Sequence, residues 1–405
     1  MTSFGPTSTL TVWRTLLALA VVFVMLATTG WTAVQQQRGP GEPLEASFAA
    51  WRRAMTGGRP HLPDPAGSPK RLAAFFGSLT AAEQTRLADR YPLVVGNLNG
   101  APVTLRYRAN RLALEQARKV EVRRMHDPRL SADGRNDAGR TMHRYESMLR
   151  GQRQILAFDP SGKGRAAEVF GDLDSARRIS VVVPGVDTDV LSFEKFNDKK
   201  YTAPVGMAES LYAAERAAAP DAHTAVIAWA DYTAPAGLGM DAATGKLAEN
   251  GAVRLSALTE ALPGRSSVSL FCHSYGSVVC GVAADNLPSR VADVAVAGSP
   301  GMRVGDASQL HTGARVWAMR DSDDWIQDVP HLDFAGLGHG ADPMSSGFGA
   351  RIVSAGGAQG HGGYFEPGTE SVGNFAEIGV GAYDAVTCGH GGSACRSGIH
   401  GAGES

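Results

Sequence analysis

Residues Ser267 to Val278 have the sequence Ser-Val-Ser-Leu-Phe-Cys-His-Ser-Tyr-Gly-Ser-Val, and this stretch decides the fold. Its first half is an apolar run typical of a buried β-strand, and its second half leads into an apolar helix. Ser274 lies between them, two residues after Cys272 and two residues before Gly276. A strand that turns sharply into a helix strains the backbone of its central serine, and small flanking residues avoid a clash there. The pattern predicts a nucleophile elbow centred on Ser274, in which Cys272 replaces the usual glycine.

Strand and helix signals alternate on both sides of this stretch. Alternation of this kind predicts a mostly parallel sheet covered by helices, with functional groups at the carboxyl ends of the strands. The predicted strands cover residues 154–158, 165–170, 179–183, 224–229, 267–271, 291–297 and 314–319, and the predicted helices after residue 150 cover 203–218, 251–262 and 277–287, with a last one from Glu370.

An uncharged and mostly apolar segment, Thr15 to Val34, follows Arg14. Its length and composition are typical of a secretory signal sequence or of a membrane-spanning anchor, and either would export the rest of the chain. We therefore expect a protein that is secreted or held at the cell envelope. The predicted regions are a signal sequence or membrane anchor (1–40), a helical N-terminal region with a linker (41–150), a catalytic domain (151–385) and a Gly-rich tail (386–405).

The charge balance and the absence of ligand motifs exclude several classes of function. Lys and Arg total 39 against 40 for Asp and Glu, which gives no electrostatic reason to bind nucleic acid. No His-x-x-x-His or Cys-x-x-Cys occurs in the sequence, so we expect neither a metal nor another cofactor. A small-molecule or lipid ester remains the expected substrate.

Four cysteines are too few for a disulfide scaffold. Cys388 and Cys395 lie in the Gly-rich tail and are expected to pair in an oxidising compartment. Cys272 and Cys280 are expected to be unpaired, small and buried apolar residues.

A serine nucleophile needs a base to take its proton and an acid to orient that base, and in this fold class the chain order is serine, acid, histidine. The strand predicted to end at Met319 leads into Asp321, Asp323 and Asp324. We favour Asp324 as the acid, because it precedes Trp325-Ile326 and so best matches a residue that turns back over the site. Asp323 is the alternative.

The base must come from a loop that can place a ring over the serine. His361 lies in Gln-Gly-His-Gly-Gly-Tyr, just before the last predicted helix, and is the favoured base, with His339 as the alternative. A tetrahedral intermediate also needs two backbone N–H donors for its oxyanion. We expect them from Tyr275, directly after the nucleophile, and from Val186, beside Gly185 in the loop after the strand that ends at Val183.

The chain resembles the actinobacterial α/β-hydrolases grouped as DUF1023, a domain of unknown function. The resemblance runs from about residue 79 to 383, and it departs from the family at Cys272 and at Asp231, where glycine is usual. It implies the α/β-hydrolase fold and a Ser–Asp–His triad, but no substrate. The motifs that carry it are residues 95–102, 108–111, 183–185, 227–229, 231–235, 273–277, 338–343 and 348–350, together with His361 and Tyr364.

These observations predict a serine hydrolase, similar to a carboxylesterase or lipase, that acts on an ester or acyl conjugate through an acyl-enzyme at Ser274. An acyltransferase would need the same residues with water excluded. A catalytically silent envelope scaffold of the same fold is the alternative from another class. The presence of the serine, the aspartates and the histidine in the expected order argues against a silent scaffold.

Overall fold

The computed structural model describes residues 43–55, 62–331, 336–389 and 391–399, which form one compact unit. The predicted signal sequence or anchor lies outside the described residues. Among the residues that are described, no helix is both long enough and apolar enough to cross a membrane.

An eight-stranded sheet has the order β1-β2-β4-β3-β5-β6-β7-β8. The pairs β1–β2 and β2–β4 are antiparallel, and every pair from β4–β3 to β7–β8 is parallel, so the predicted mostly parallel sheet is confirmed. The strands are β1 (Gln154–Asp159), β2 (Arg165–Gly171), β3 (Arg178–Val183), β4 (Thr224–Ala230), β5 (Ser267–His273), β6 (Val291–Ala297), β7 (Arg315–Met319) and β8 (Arg351–Ile352).

The helices before β1 agree with the predicted helical N-terminal region. One of them, which follows Thr80, begins with a capping box, since Thr80 and Glu83 each accept a hydrogen bond from the other's backbone N–H. The helices of the described residues are α1 (Pro43–Met55), α2 (Pro69–Gly77), α3 (Ala81–Arg90), α4 (Pro92–Val95), α5 (Val103–Arg124), α6 (Ala132–Met148), α7 (Pro204–Ala218), α8 (Met240–Ala243), α9 (Lys246–Ala261), α10 (Gly276–Ala283) and α11 (Glu370–Val380).

The central strands are buried on both faces. Alternate residues of β3 and β5 enter two different cores, because side chains along a strand point to opposite faces. Val181 and Leu270 pack with helices α9 and α10 on one face, whereas Val182 and Phe271 pack with α7 and α11 on the other. This two-sided burial explains why these strands are continuous apolar runs in the sequence.

Strand β1 has β2 on one side only, and two asparagines of the helical region bond to its other side. Asn97 donates from Nδ2 to the carbonyl oxygen of Phe158 at 2.7 Å and accepts from the N–H of the same residue at 3.2 Å. Asn110 donates from Nδ2 to the carbonyl oxygen of Ile155 at 3.0 Å. These side-chain amides satisfy the backbone groups that a further strand would otherwise pair with.

Candidate active site

Ser274 occupies the turn between β5 and α10. Its φ angle is +55°, a strained value for a residue other than glycine, and its N–H donates to the carbonyl oxygen of Ala297 at 3.0 Å. Two residues later, a Cβ at Gly276 would lie 2.2 Å from the carbonyl oxygen of Val183, so this position has no room for a side chain. The structure therefore has the strand-to-helix elbow that the sequence predicts.

Cys272 and Cys280 form a disulfide, so the expectation that they are unpaired is wrong. Both are buried as expected. They are eight positions apart in the sequence. One turn of α10 brings Cys280 back to the end of β5, and the sequence spacing alone does not reveal that the two side chains meet. Cys272 therefore does more than replace a glycine, because it ties the strand to the helix across the turn that holds Ser274. The second disulfide, Cys388–Cys395, is present as predicted.

Three of the predicted site residues meet at this turn. His361 Nε2 lies 2.8 Å from Ser274 Oγ, and His361 Nδ1 lies 2.8 Å from Asp324 Oδ1. A carboxylate can only accept, so Nδ1 carries the proton and donates it, and the lone pair of Nε2 accepts from the serine hydroxyl. Ser274, His361 and Asp324 thus form one continuous hydrogen-bonded chain.

Asp324 is buried and follows β7 after a short turn. Burial raises the pKa of its carboxyl group, but hydrogen bonds from His361, from the Tyr364 hydroxyl and from the N–H of Ile326 outweigh burial and hold the pKa below its usual value. The group is therefore a carboxylate at neutral pH. The alternative acid, Asp323, has an exposed side chain.

The alternative base, His339, lies elsewhere in the structure. Its Nε2 is 2.6 Å from the carbonyl oxygen of Ala242, and its ring is 5.6 Å from that of Tyr275. His361 is therefore the histidine that the structure places at the hydroxyl of Ser274.

The backbone of the loop that carries His361 is held by two hydrogen bonds with side chains of other segments. Asp321 accepts from the N–H of Gly360 at 2.8 Å. His273 lies 2.6 Å, through Nε2, from the carbonyl oxygen of His361, and donates to it. Burial and the neighbouring His361 lower the pKa of His273 to about 3, so this ring is neutral at physiological pH. The base is thus held by a neighbour that carries no charge.

The two predicted oxyanion donors, Tyr275 and Val186, follow the neighbouring strands β5 and β3. A Cβ at Gly185 would lie 2.6 Å from Cβ of Ser274, which shows how closely the loop after β3 approaches the nucleophile. Tyr232 supports that loop by donating to the carbonyl oxygen of Pro184 at 2.6 Å. Within the described residues, the N–H groups of Tyr275 and Val186 donate to no other protein group, so both are open to an oxyanion.

Sequence reasoning gave no role in this site to two residues that shape it, namely Tyr364 and Gly298. Tyr364 donates to Asp324 Oδ2 at 2.5 Å. Gly298 follows β6 with φ +54°, and a Cβ there would lie 2.7 Å from Asp324 Oδ2 and 3.1 Å from His361 Nδ1. Only glycine, which has no side chain, leaves room here for the hydrogen-bonded pair of His361 and Asp324. The one available signal for Gly298 was its position directly after a strand predicted to end beside the elbow.

The part of the chain that the structure describes contains no cluster of three or more His, Cys, Asp or Glu side chains that could hold a metal ion.

Comparisons with known proteins agree with this architecture. A family model described as alpha/beta hydrolase matches residues 159–334. Uncharacterized protein Rv2079 of Mycobacterium tuberculosis is 29% identical over 388 residues, which cover 80% of this chain and 57% of the relative. Uncharacterized protein Rv0963c of the same organism is 36% identical over 160 residues, which cover 38% of this chain and 58% of the relative. The chain thus spans less than two thirds of the length of these relatives.

Two solved structures are similar to parts of the chain. One is a dienelactone hydrolase from Anabaena variabilis, at 18% identity and a TM-score of 0.29, with 41% of this chain and 72% of that chain covered. The other is XC6422 from Xanthomonas campestris, an a/b serine hydrolase without lid, at 17% identity and a TM-score of 0.28, with 43% and 73% covered. The sheet order, the elbow after β5 and the match over residues 159–334 show that this chain has the α/β-hydrolase fold, and they support a hydrolase.

Proposed function

We propose that this protein is a serine hydrolase that cleaves an ester or acyl conjugate through an acyl-enzyme at Ser274. The observation that carries the proposal is the hydrogen-bonded chain from Ser274 Oγ through His361 to Asp324, at 2.8 Å for each link. A serine hydroxyl gains nucleophilic strength only when a base takes its proton. The hydrogen bond to Asp324 holds His361 in the tautomer whose Nε2 can act as that base.

The geometry supports a two-step reaction. Ser274 Oγ attacks the carbonyl carbon of the substrate while its proton passes to His361 Nε2, and Asp324 stabilises the resulting imidazolium. The N–H groups of Tyr275 and Val186 bind the oxyanion. When the intermediate collapses, the bond to the alcohol breaks and His361 returns the proton to the leaving oxygen. Water then attacks the acyl-enzyme with His361 again as base, which releases the acid and restores the serine hydroxyl.

We further propose that the protein works at the cell envelope or outside the cell, with residues 1–40 as signal sequence or anchor. The support is the uncharged segment from Thr15 to Val34, together with the two disulfides, since such bonds persist in oxidising compartments. The DUF1023 motifs quoted above support membership of that group of hydrolases. A small-molecule or lipid ester is the proposed substrate class.

Labelling of the full chain, purified in detergent, with a fluorophosphonate probe tests the proposal. We expect covalent labelling at Ser274, and no labelling of Ser274→Ala. On one model ester, Ser274→Ala and His361→Ala should each lose turnover by about 10⁴-fold or more, and the double variant should lose no more than either.

The acid is tested with a matched pair of neighbours. Asp324→Asn should lower turnover by about 10²-fold to 10⁴-fold, because the buried amide no longer holds the productive tautomer of His361. Asp323→Asn, at the exposed position next to it, should leave turnover unchanged. Circular dichroism checks that both variants are folded. Failure of the wild-type chain to label, with the protein folded and both disulfides formed, would mean that Ser274 is not an activated nucleophile.

A further inference from the structure

Most of the exposed large apolar side chains of the described residues are in segments that follow parallel strands at their carboxyl ends, as Ser274 does. In the described part of the chain, eight such side chains are exposed, and three of them lie on helices α5 and α9. The other five lie in segments that follow the carboxyl ends of β3, β4 and β7, namely Phe196, Leu238, Met240, Trp325 and Leu337. Exposed apolar surface that gathers at one place of a soluble domain commonly marks a binding site.

Trp325 is the member of this group in contact with the base. Its ring centroid is 4.6 Å from that of His361, and yet 41% of the residue is exposed. One part of the indole therefore covers the imidazole and another part faces solvent. Ser274 itself is only 6% exposed, so the open part of Trp325 is a solvent-accessible apolar surface close to a hydroxyl that is nearly buried.

Leu238 lies in a loop that is hydrogen-bonded to the loop after β3. Asp187, the residue after the proposed oxyanion donor Val186, donates from its N–H to the carbonyl oxygen of Pro235 at 2.8 Å. Its carboxylate accepts from the N–H of Gly237 at 2.7 Å. These two bonds fix the loop that carries Leu238 beside the oxyanion loop. A second exposed apolar side chain is therefore carried by a loop bonded to the residue after Val186.

The proposed reaction determines which part of the substrate lies next to Trp325. The leaving oxygen must lie within hydrogen-bond reach of His361 Nε2, because it takes its proton from that atom. The group attached to this oxygen therefore lies beside the imidazole, where the indole is. The acyl part extends from the carbonyl carbon, whose oxygen faces the loop of Val186. Trp325 is thus placed to contact the alcohol part and not the acyl part.

We infer that the substrate is an ester of an apolar alcohol, and that Trp325 is a specificity-determining residue that binds the alkyl part of this alcohol. The inference rests on the proposed function and adds the substrate class. Because Trp325 packs on the base as well, its test has to separate contact with the alcohol from orientation of His361.

The experiment compares two butyrate esters, methyl butyrate and hexyl butyrate, by titration of the acid released. The shared acyl group gives the same acyl-enzyme, so a difference in kcat/KM between the two esters arises in binding and acylation. We expect the wild-type chain to prefer hexyl butyrate. Trp325→Ala should lose on the order of tenfold in kcat/KM on hexyl butyrate and less than about twofold on methyl butyrate, since most of the apolar contact disappears.

Two further variants complete the test. Trp325→Phe keeps an apolar ring and should retain most of the preference for hexyl butyrate. Val253→Ala removes another exposed apolar side chain, on α9, and should change neither rate. An equal loss by Trp325→Ala on both esters would overturn the inference, because it would mean that the indole only orients His361. A wild-type chain that labels at Ser274 but does not prefer the hexyl ester overturns the inference and leaves the proposed function intact, whereas absence of labelling counts against the proposed function.

Discussion

His273 precedes Ser274, the proposed nucleophile, and holds the loop of His361, the proposed base, through a hydrogen bond. Its Nε2–H donates to the carbonyl oxygen of His361 at 2.6 Å, and the two rings are 4.9 Å apart. We expect His273→Ala to lower kcat on the order of tenfold, because a lost buried hydrogen bond costs about 1–2 kcal/mol and about 1.4 kcal/mol corresponds to a factor of ten. His273→Gln, whose amide can also donate, should recover part of the loss.

The pH dependence separates this positioning role from a role in proton transfer. With a pKa of about 3, His273 stays neutral between pH 5 and pH 9. The pH profile of kcat should therefore keep its shape in His273→Gln while its height falls. A midpoint that moves within this range would show that His273 itself titrates during turnover.

At the scale of elements, the Cys272–Cys280 disulfide joins the end of β5 to α10. Removing it in Cys272→Ala/Cys280→Ala should lower the free energy of unfolding by about 2–3 kcal/mol, because a loop of this length closes at that entropic cost in the unfolded chain. The expected loss is measured by urea unfolding. Turnover on a model ester should fall as well, since the backbone of Ser274 is strained and relies on its surroundings.

The tail disulfide provides the matched control for this variant. Cys388 and Cys395 are seven residues apart, so Cys388→Ala/Cys395→Ala removes a bridge of almost the same loop length. That bridge lies far along the chain from the elbow, and its loss should leave turnover unchanged. If both double variants lose turnover equally, the elbow disulfide has no particular effect on the nucleophile.

At the scale of the whole molecule, one buried acid makes stability depend on pH. Glu215 of α7 is completely buried, where it is hydrogen-bonded to Ser180 of β3 and packs against Gly379 of α11. Burial raises its pKa to about 8, although Ser180, Thr224 and Arg178 act in the opposite direction. The folded protein therefore keeps the proton of Glu215 at pH values where the unfolded chain has already lost it.

The sign of the effect follows from proton linkage. Because the folded-state pKa lies above the unfolded value of 4.5, the contribution of Glu215 is fully present below about pH 4.5 and is lost as the pH rises towards about 8. Glu215→Gln should match the wild type in thermal unfolding at pH 5 and exceed it at pH 8, by an amount on the order of several kcal/mol at most. A difference between the two proteins that does not change with pH would mean that Glu215 is already ionised in the folded state.

The sequence predicts the elements and the order of the site residues well, because both depend on local patterns. The apolar run of β3 and the small residues around Ser274 are local signals, and so is the position of His361 before the last helix. The pairing of Cys272 with Cys280 and the contact of His273 with the loop of His361 depend on which side chains face each other after folding. Strand β8 has two residues, too few to show any periodicity.

The two asparagines that bond to β1 have a consequence for association between molecules of this protein. The N–H of Phe158 and the carbonyl oxygens of Ile155 and Phe158 would be a row of open donors and acceptors if Asn97 and Asn110 were absent. Such a row is a template for a strand of another molecule, and it leads to aggregation. A fragment that begins at residue 151 would retain Ser274, Asp324 and His361, yet its first strand would recruit other copies. The helical region therefore prevents a strand of another molecule from pairing with β1 and extending the sheet.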